Sequence, residues 1–330
     1  MKWQPLIMGA SFAILSSAAL ASAQAQPTTV DGLVSAAKNS AGVEWPGAFL
    51  RLCIPPPPAA PAGAPAGNAT PAGPPPKERW FAEPAKVADN FYFLGTRVHN
   101  AWALAGSDGI IVLEALFDYA APDEVVLGLR KVGLESGQVK YVLISHAHAD
   151  HDGGAKYLQD TLKAARLVYG GPDWDAVDKA ANHAGGKPKH DTVGADGMKI
   201  SVGDASVQIV TTPGHTAGTL SFLFEVKDNG KPLRVAYVGG TAIPFNGTAQ
   251  YYDTYIASVR KMAKAAADYG ATALMSNHTE FDNAYFKAHT AANRKPGEPN
   301  PFDVGKAAVG RYFTMVEQCV TAAKLRAASK

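Results

Sequence analysis

Residues 144–154, ISHAHADHDGG, place four metal-ligating side chains within six positions: His146, His148, Asp150 and His151. His146 and His148 are two residues apart, so in an extended segment both side chains point to one side and can share one metal ion. Asp150 and His151 come as the chain turns, point elsewhere, and can bind a second ion. Imidazole and carboxylate ligands suit zinc. The segment therefore predicts a zinc site.

Two more histidines follow apolar segments of the same kind. His215 lies in a Pro-Gly turn just after VQIV (207–210), and His278 ends ALMSNH (273–278). The first cluster likewise follows the continuous apolar run VKYVLIS (139–145). Because ligands at the carboxyl ends of strands meet at the mouth of an α/β sheet, we expect all six side chains to converge there. The remaining candidates, which lack this context, are predicted to be structural or surface residues: His99, His183, His190 and His289.

The elements that would position these ligands alternate along the chain. Strand-like runs such as NFYFLG (90–95) and AWALAGSDGIIVLEAL (101–116) are rich in aromatic and β-branched residues. Helical patterns occupy 121–133, 153–165, 251–270 and 303–328. Strands followed by helices, in two successive halves, predict an α/β fold of two sheets packed back to back with helices on the outer faces.

The sequence divides the chain into a signal peptide, an N-terminal extension and a main domain. Residues 1–25 have one Lys, an apolar run and small residues fitting an Ala-x-Ala cleavage site, which predicts a secretory signal peptide. The alternative, a membrane anchor, is disfavoured because the run is short and rich in Ala and Ser. Residues 26–79 form an extension with a helical piece and the proline-rich segment 54–76, and the main domain covers 80–330. The expected location is periplasmic or secreted, with no stable membrane insertion after cleavage.

Composition limits the partners and leaves one question open. The chain has 330 residues and a formal net charge of +2, without a Lys/Arg cluster that would track nucleic acid. A small-molecule substrate is expected, and the oligomeric state is open. The two cysteines, Cys53 and Cys319, either form a disulfide that closes a very long loop or are separate buried thiols.

The motif H-x-H-x-D-H, here HAHADH, with the later PGHT and a strand-end histidine, resembles the metallo-β-lactamase superfamily. That resemblance covers roughly residues 80–326 and implies an αββα sandwich of two mixed sheets. The details are most similar to the third subclass of zinc β-lactamases, which implies two zinc ions per chain. By that pattern the first zinc is bound by His146, His148 and His215, and the second by Asp150, His151 and His278.

Three positions refine the resemblance. Gly240 stands where many other members carry a bridging Asp, and Thr241 follows where the third subclass usually has a Ser, which implies a substrate-binding role. Glu114 replaces the usual Asp at the end of an early strand. We expect groups around the ligands to orient the imidazoles, and the candidates are Thr212, Thr216, Asp152 and Glu114.

The function implied is a secreted di-zinc hydrolase that opens a cyclic amide (a β-lactam, hence antibiotic resistance) by attack of metal-bound hydroxide. Asp150 would be catalytic as well as a ligand, by orienting the nucleophile. A lactonase or another ester or amide hydrolase of the same superfamily remains an alternative. An iron-dependent oxidoreductase on this scaffold is disfavoured because its usual bridging Asp is absent. A non-catalytic zinc scaffold is disfavoured because all six ligands are present.

Overall fold

The computed structural model describes residue 1 and residues 27–56 and 73–329. The expected signal peptide and most of the proline-rich segment lie outside these residues. Within the part of the chain that the structure describes, every helix is too short or too polar to cross a bilayer.

The first sheet has seven strands arranged in chain order. Its first four strands pair antiparallel, and each later strand pairs parallel with the one before it. Residues 139–143 of the apolar run form β5, and Val142 and Leu143 at the end nearest the candidate ligands are fully buried. The strands are β1 (Ala85–Ala88), β2 (Phe91–Phe93), β3 (Trp102–Gly106), β4 (Gly109–Leu113), β5 (Val139–Leu143), β6 (Arg166–Gly170) and β7 (Thr192–Gly194).

The second sheet has five strands in the order β12-β11-β10-β9-β8. Its pairs are antiparallel except β11 with β12, which run parallel, so both sheets are mixed. The strands are β8 (Lys199–Val202), β9 (Ala205–Thr211), β10 (Leu220–Asp228), β11 (Lys231–Val238) and β12 (Ala273–Ser276).

Helices cover the outer faces of both sheets. A π-helical turn, Pro122–Leu127, runs directly into α4. In the described ranges the α-helices are α1 (Val30–Ala41), α2 (Pro46–Cys53), α3 (Lys77–Trp80), α4 (Gly128–Lys131), α5 (Ala149–Asp152), α6 (Ala155–Thr161), α7 (Gly171–Lys179), α8 (Ala249–Tyr269), α9 (Thr279–Asp282), α10 (Ala284–Ala292) and α11 (Gly305–Ala328).

Three buried clusters define the layers. Between the sheets, Phe91 and Trp102 of the first sheet pack with Phe222 and Tyr237 of the second. The outer face of the second sheet packs against α8 and α11, and the outer face of the first against the π-helical turn, α4 and α6. Alternate residues of a strand therefore pack on opposite faces of its sheet, one set between the sheets and the other against the helices. This αββα sandwich confirms the fold expected from the sequence.

The N-terminal extension is packed on the main domain. Its helices α1 and α2 share one buried cluster with α8 and α11, and a disulfide joins Cys53 at the end of α2 to Cys319 in α11. The question that the sequence left open is therefore settled in favour of the bridge. At Gly47 the backbone of α2 lies so close to α9 that a Cβ would come within 2.1 Å of the Glu280 carbonyl oxygen. Since α9 begins immediately after His278, the extension supports the segment that carries this histidine.

Candidate metal centre

The two sheets come together at one rim. The Leu220 N–H, at the start of β10, donates to the Ser145 carbonyl just after β5, at 2.8 Å. On the other side, Asn100 N–H donates to Asn277 O at 2.9 Å, and Thr279 N–H donates to Val98 O at 2.8 Å. Loops that follow β5, β9, β11 and β12 therefore face one another at this rim, as expected for strand-end ligands.

Three of the expected ligands form a first group. His146, His148 and His215 each offer a nitrogen, and these nitrogens lie within 4.8 Å of one another. His215 Nε2 and His148 Nδ1 are 3.1 Å apart. His146 is buried, whereas His148 and His215 lie on the open side. The first sheet thus contributes two members of the group and the second sheet one.

Backbone carbonyls fix the tautomers of two of these imidazoles. His146 Nδ1 lies 2.8 Å from Gly239 O, and His215 Nδ1 lies 2.7 Å from Ala242 O. A carbonyl only accepts, so each Nδ1 carries the hydrogen and each Nε2 keeps its lone pair. Among the described residues, the buried His146 Nε2 has no hydrogen-bond partner. A buried nitrogen lone pair that faces other nitrogen atoms is the environment that a metal cation satisfies.

Asp150, His151 and His278 form a second group. Asp150 Oδ2 lies 3.1 Å from His151 Nε2 and 3.3 Å from His278 Nε2, and the two Nε2 atoms are 3.0 Å apart. Zinc binds nitrogen and carboxylate oxygen at about 2.0–2.2 Å in tetrahedral geometry, for which ligand atoms lie somewhat over 3 Å apart. The donor set and its spacing fit one divalent cation. Again two members come from the first sheet and one from the second.

The protonation states also suit metal binding, which requires neutral imidazoles and an ionised carboxylate. Burial holds the pKa of His146 well below its usual value and lowers the pKa of His215 to about 4. Burial likewise lowers the pKa of His151. For Asp150 burial acts to raise the pKa, but the hydrogen bonds with His151 and His278 outweigh it, and the pKa of this carboxyl falls below its ordinary value.

His99 is the member of this region that sequence reasoning missed. Its Nε2 lies 3.6 Å from Asp150 Oδ2, and its backbone forms an isolated antiparallel bridge with His278. Burial, followed by the neighbouring His278, lowers the pKa of His99 to about 3. His99 precedes a strand rather than ending one. Only this long-range bridge brings it to the rim, and nothing in the local sequence indicates it.

The other three histidines set aside from the sequence lie outside the two groups. His183 Nε2 contacts Asp152 Oδ2 at 2.8 Å and so ties the loop after α7 to the end of α5. His190 stacks on Trp174 and pairs with Asp178. His289 packs against Tyr285.

The four expected orienting groups have different partners. Thr212 bonds Ser221, and Thr216 donates to Asp173 Oδ2, both at 2.8 Å. Asp152 holds His183 as described. Glu114 is buried, and its backbone has a left-handed conformation. Its carboxyl group accepts a hydrogen bond from Tyr237 Oη at 2.9 Å. Its Oε2 lies 3.6 Å from His151 Nδ1, which is too far for a direct hydrogen bond, and burial raises its pKa to about 8.

Gly240 and Thr241 take the places where the resemblance located a bridging carboxylate and a substrate contact. A Cβ at Gly240 would lie 2.6 Å from the His215 Cβ, so a larger residue would displace His215. Thr241 is only 2% exposed, and its hydroxyl donates to Asn277 Oδ1 at 3.2 Å. Asn277 Nδ2 in turn donates to Gly239 O, the acceptor of His146, at 2.6 Å. We therefore assign Thr241 to the support of His146 rather than to direct substrate contact.

Asp173, at the start of α7, joins the loops that carry the first group. Its carboxylate accepts from Ala147 N–H at 2.8 Å, from Gly218 N–H at 2.9 Å and from the Thr216 hydroxyl at 2.8 Å. Ala147 lies between His146 and His148, and Thr216 follows His215. One carboxylate therefore fixes the backbone on both sides of the group.

Replacing Asp173 with Ala should lower metal affinity about 10- to 100-fold, the usual cost of losing an outer partner of a metal site. The reason is that the backbone N–H groups of Ala147 and Gly218, the second of them buried, lose their acceptor and the ligand loops separate. Competition with a chromogenic chelator measures this affinity. Asp178→Ala, an exposed carboxylate on the same helix, is the control, and equal affinities in the two variants would contradict the assignment.

Comparison with known proteins agrees with this geometry. Residues 94–228 match the family model of the metallo-β-lactamase superfamily. Among solved structures, a subclass B3 metallo-β-lactamase of Bradyrhizobium japonicum is 24% identical with a TM-score of 0.58, over 71% of this chain and 92% of that one. The FEZ-1 metallo-β-lactamase of Legionella gormanii is 20% identical with a TM-score of 0.61, over 70% of this chain and 91% of that one.

Curated relatives match over shorter stretches. A hydroxyacylglutathione hydrolase of Acidiphilium cryptum is 30% identical over 106 residues, 32% of this chain and 39% of that protein. An N-acyl homoserine lactonase of a Bacillus species is 32% identical over 116 residues, which are 34% of this chain and 43% of that protein. The chain thus spans about two fifths of the length of these relatives.

The matched segment and the sandwich around it define the class. Residues 94–228 match the metallo-β-lactamase superfamily model, and the solved structures that share this fold include a subclass B3 metallo-β-lactamase. The family expected from the sequence is confirmed, and the expectation of a metal-dependent hydrolase is supported at the level of the superfamily.

Proposed function

We propose that this protein is a metal-dependent hydrolase that opens a cyclic amide of the β-lactam type. The observation that carries the proposal is the pair of three-residue ligand groups at one open rim, whose nitrogen and carboxylate oxygen atoms lie close enough together to share a divalent cation. We assign two zinc ions to these groups. His146, His148 and His215 would hold the first, and Asp150, His151 and His278 the second.

The chain's own residues explain how such a site would work. When bound, zinc supplies Lewis acidity, which polarises a carbonyl group and makes water nucleophilic at neutral pH. The carbonyls of Gly239 and Ala242 keep the rings of His146 and His215 in the tautomers that direct Nε2 into the site. The ionised Asp150 carboxylate can accept a hydrogen bond from a water molecule and orient it, which is the catalytic role we assign to it.

Position 240 supports the β-lactam proposal over chemistry that uses a bridging carboxylate. Many thioesterases, lactonases and persulfide dioxygenases of this superfamily carry a bridging Asp at the position of Gly240. In this chain the close contact between Gly240 and His215 leaves no room for such a side chain. The solved structures that the chain resembles over most of their length are named metallo-β-lactamases. Together these points favour a cyclic amide as the substrate.

A lactone or thioester substrate is the second candidate. The curated relatives are named as a hydroxyacylglutathione hydrolase and an N-acyl homoserine lactonase, enzymes that act on a thioester and a lactone. The same ligand groups would serve either acyl transfer to water. The substrate therefore has to be decided by experiment.

We also propose that the protein acts outside the cytoplasm, in the periplasm or after secretion. The disulfide between Cys53 and Cys319 supports this location, because such bonds persist in oxidising compartments. The expected signal peptide at residues 1–25 leads to the same proposal.

Metal analysis and a substrate panel test the proposal. The purified full chain should contain about two zinc ions, and it should hydrolyse at least one of a penicillin, a cephalosporin and a carbapenem much faster than chelator-treated protein does. An N-acyl homoserine lactone and an acyl thioester complete the panel. Background rates on all three β-lactams with fast turnover of the lactone or thioester would replace the first candidate by the second. A protein that takes up no metal would overturn both.

A further inference from the structure

His99 lies beside the second ligand group but has no role in the hydrolase proposed above. Its Nε2 is 3.6 Å from Asp150 Oδ2. The same carboxylate oxygen lies 3.1 Å from His151 Nε2 and 3.3 Å from His278 Nε2. A nitrogen of His99, an oxygen of Asp150 and a nitrogen of His278 all lie within 4.8 Å of one another. The Asp150 carboxylate is therefore surrounded by three imidazoles rather than two.

The backbone register places His99 directly beside His278. The two residues form an antiparallel bridge that is flanked on both sides by backbone hydrogen bonds between the same two segments, at 2.9 Å and 2.8 Å. Neither histidine takes part in those two bonds, so they form the kind of cross-strand pair whose side chains lie closest together on one face. Their ring centroids are 5.0 Å apart. The bridge thus presents two imidazoles, not one, to the Asp150 carboxylate.

The turn that carries His99 is closed by its own hydrogen bonds. Thr96 N–H donates to His99 O at 2.8 Å. The Thr96 hydroxyl oxygen accepts from the backbone N–H of Val98 at 3.1 Å and from that of His99 at 2.8 Å. The next residue, Asn100, ties the turn to the second sheet, since its side-chain amide donates to Ser276 O at 2.8 Å. The position of His99 is therefore fixed by the protein itself, as a preorganised ligand requires.

The imidazole of His99 makes no hydrogen bond within the residues that the structure describes. Its 3.6 Å separation from Asp150 is too long for one, and the hydrogen bonds of His99 involve its backbone. Phe117, which packs edge-on against the ring with centroids 5.1 Å apart, has no polar atom in its side chain. The His99 side chain is only 18% exposed. A shared cation would satisfy this largely buried ring, because imidazole and carboxylate are zinc ligands.

We propose that His99 is a fourth protein ligand of the second zinc, beside the three members of the second ligand group. The inference rests on the proposed di-zinc site and adds a ligand that the three-residue pattern of the resemblance does not contain. It makes the two sites unequal. Four protein ligands complete a tetrahedral zinc site, whereas three leave a position open for water or substrate. The first group, which has three ligands, is then the open site.

Nuclear magnetic resonance of the cadmium-substituted protein counts the ligands without turnover. In the full chain labelled with 15N-histidine and loaded with 113Cd, each imidazole nitrogen that is bonded to an ion shows a direct coupling to it. We expect six coupled histidines, namely the five of the two ligand groups and His99. His99→Phe, which keeps a ring beside Phe117 and removes both nitrogens, should leave five. His190→Ala, which removes an exposed histidine outside both groups, should leave six.

Competition with a chromogenic chelator gives a second readout, the affinity for each zinc ion. His99→Phe should weaken binding of the second ion by more than about 100-fold, because loss of a residue that only supports a ligand costs up to roughly that factor. Binding of the first ion should be unchanged. Equal affinities of the unmodified protein and His99→Phe for the second ion would overturn the proposal.

Five coupled histidines in the unmodified protein, with His99 uncoupled, would overturn the proposal whatever the affinities are, because His99 would then only orient Asp150. This count requires no variant, so a variant that fails to fold does not remove the test. A chain that binds a single ion would overturn the second site and the role of His99 together. Background rates across the whole substrate panel would end the hydrolase proposal and leave the count of coupled histidines as it is.

Discussion

Replacing His146 with Ala should reduce the rate of hydrolysis by more than about 100-fold. Loss of a residue that only supports a metal ligand costs up to roughly this factor, and loss of a ligand should cost more. The replacement should also lower the metal content by about one ion per chain. His146 is buried, its Nδ1 is committed to Gly239 O, and its Nε2 has no partner among the described residues. The two remaining members of the first group cannot complete a tetrahedral site.

Metal analysis by mass spectrometry and steady-state rates on the best substrate of the panel check this prediction. His190→Ala is the matched control, because His190 is an exposed histidine that pairs with Asp178 and lies outside both ligand groups. A His146→Ala protein that keeps two metal ions and the unmodified rate would refute the assignment of the first group.

Removing the disulfide should lower the free energy of unfolding by about 2–5 kcal/mol. Cys53 and Cys319 are 266 residues apart in sequence, so the bond restricts a very long loop in the unfolded chain. Both residues are fully buried, and Ala is therefore a better replacement than Ser, which would bury a hydroxyl group. Urea unfolding of Cys53→Ala/Cys319→Ala measures the change.

The unmodified protein in a strong reductant serves as the control for the double variant. It should lose a similar amount of stability, because both treatments release α2 from α11. Unchanged urea midpoints in both samples would show that packing of the extension, rather than the bond, holds it in place.

The convergence of the six candidate ligands could be predicted from the sequence because each of them follows a recognisable local pattern. The cluster at 146–151 comes after a continuous apolar run, and His215 and His278 also follow apolar strands. Strand ends of an α/β sandwich meet at one rim, so local patterns were sufficient to predict convergence. The long strands and helices were predictable for the same reason, since periodicity over many residues is a strong signal.

The parts that could not be predicted depend on contacts between distant segments. His99 reaches the rim through a bridge to a residue 179 positions away, and Asp173 joins two loops that are 71 positions apart in the chain, at Ala147 and Gly218. Short elements such as β7 and α9 have three and four residues, too few to show a period. The buried position of Thr241 depends on Asn277, a partner that its own neighbourhood does not reveal.

Each ligand group takes two members from the segment after β5, the first group from its loop and the second from α5, and one member from the second sheet. An ion bound in either group would therefore hold the two halves of the sandwich together. Binding to the folded state alone raises resistance to unfolding in proportion to the logarithm of free metal concentration. When zinc is scarce, the same rim would open more often and expose its loops to proteases. The abundance of the protein in its surroundings would then follow the supply of metal as well as the rate of its synthesis.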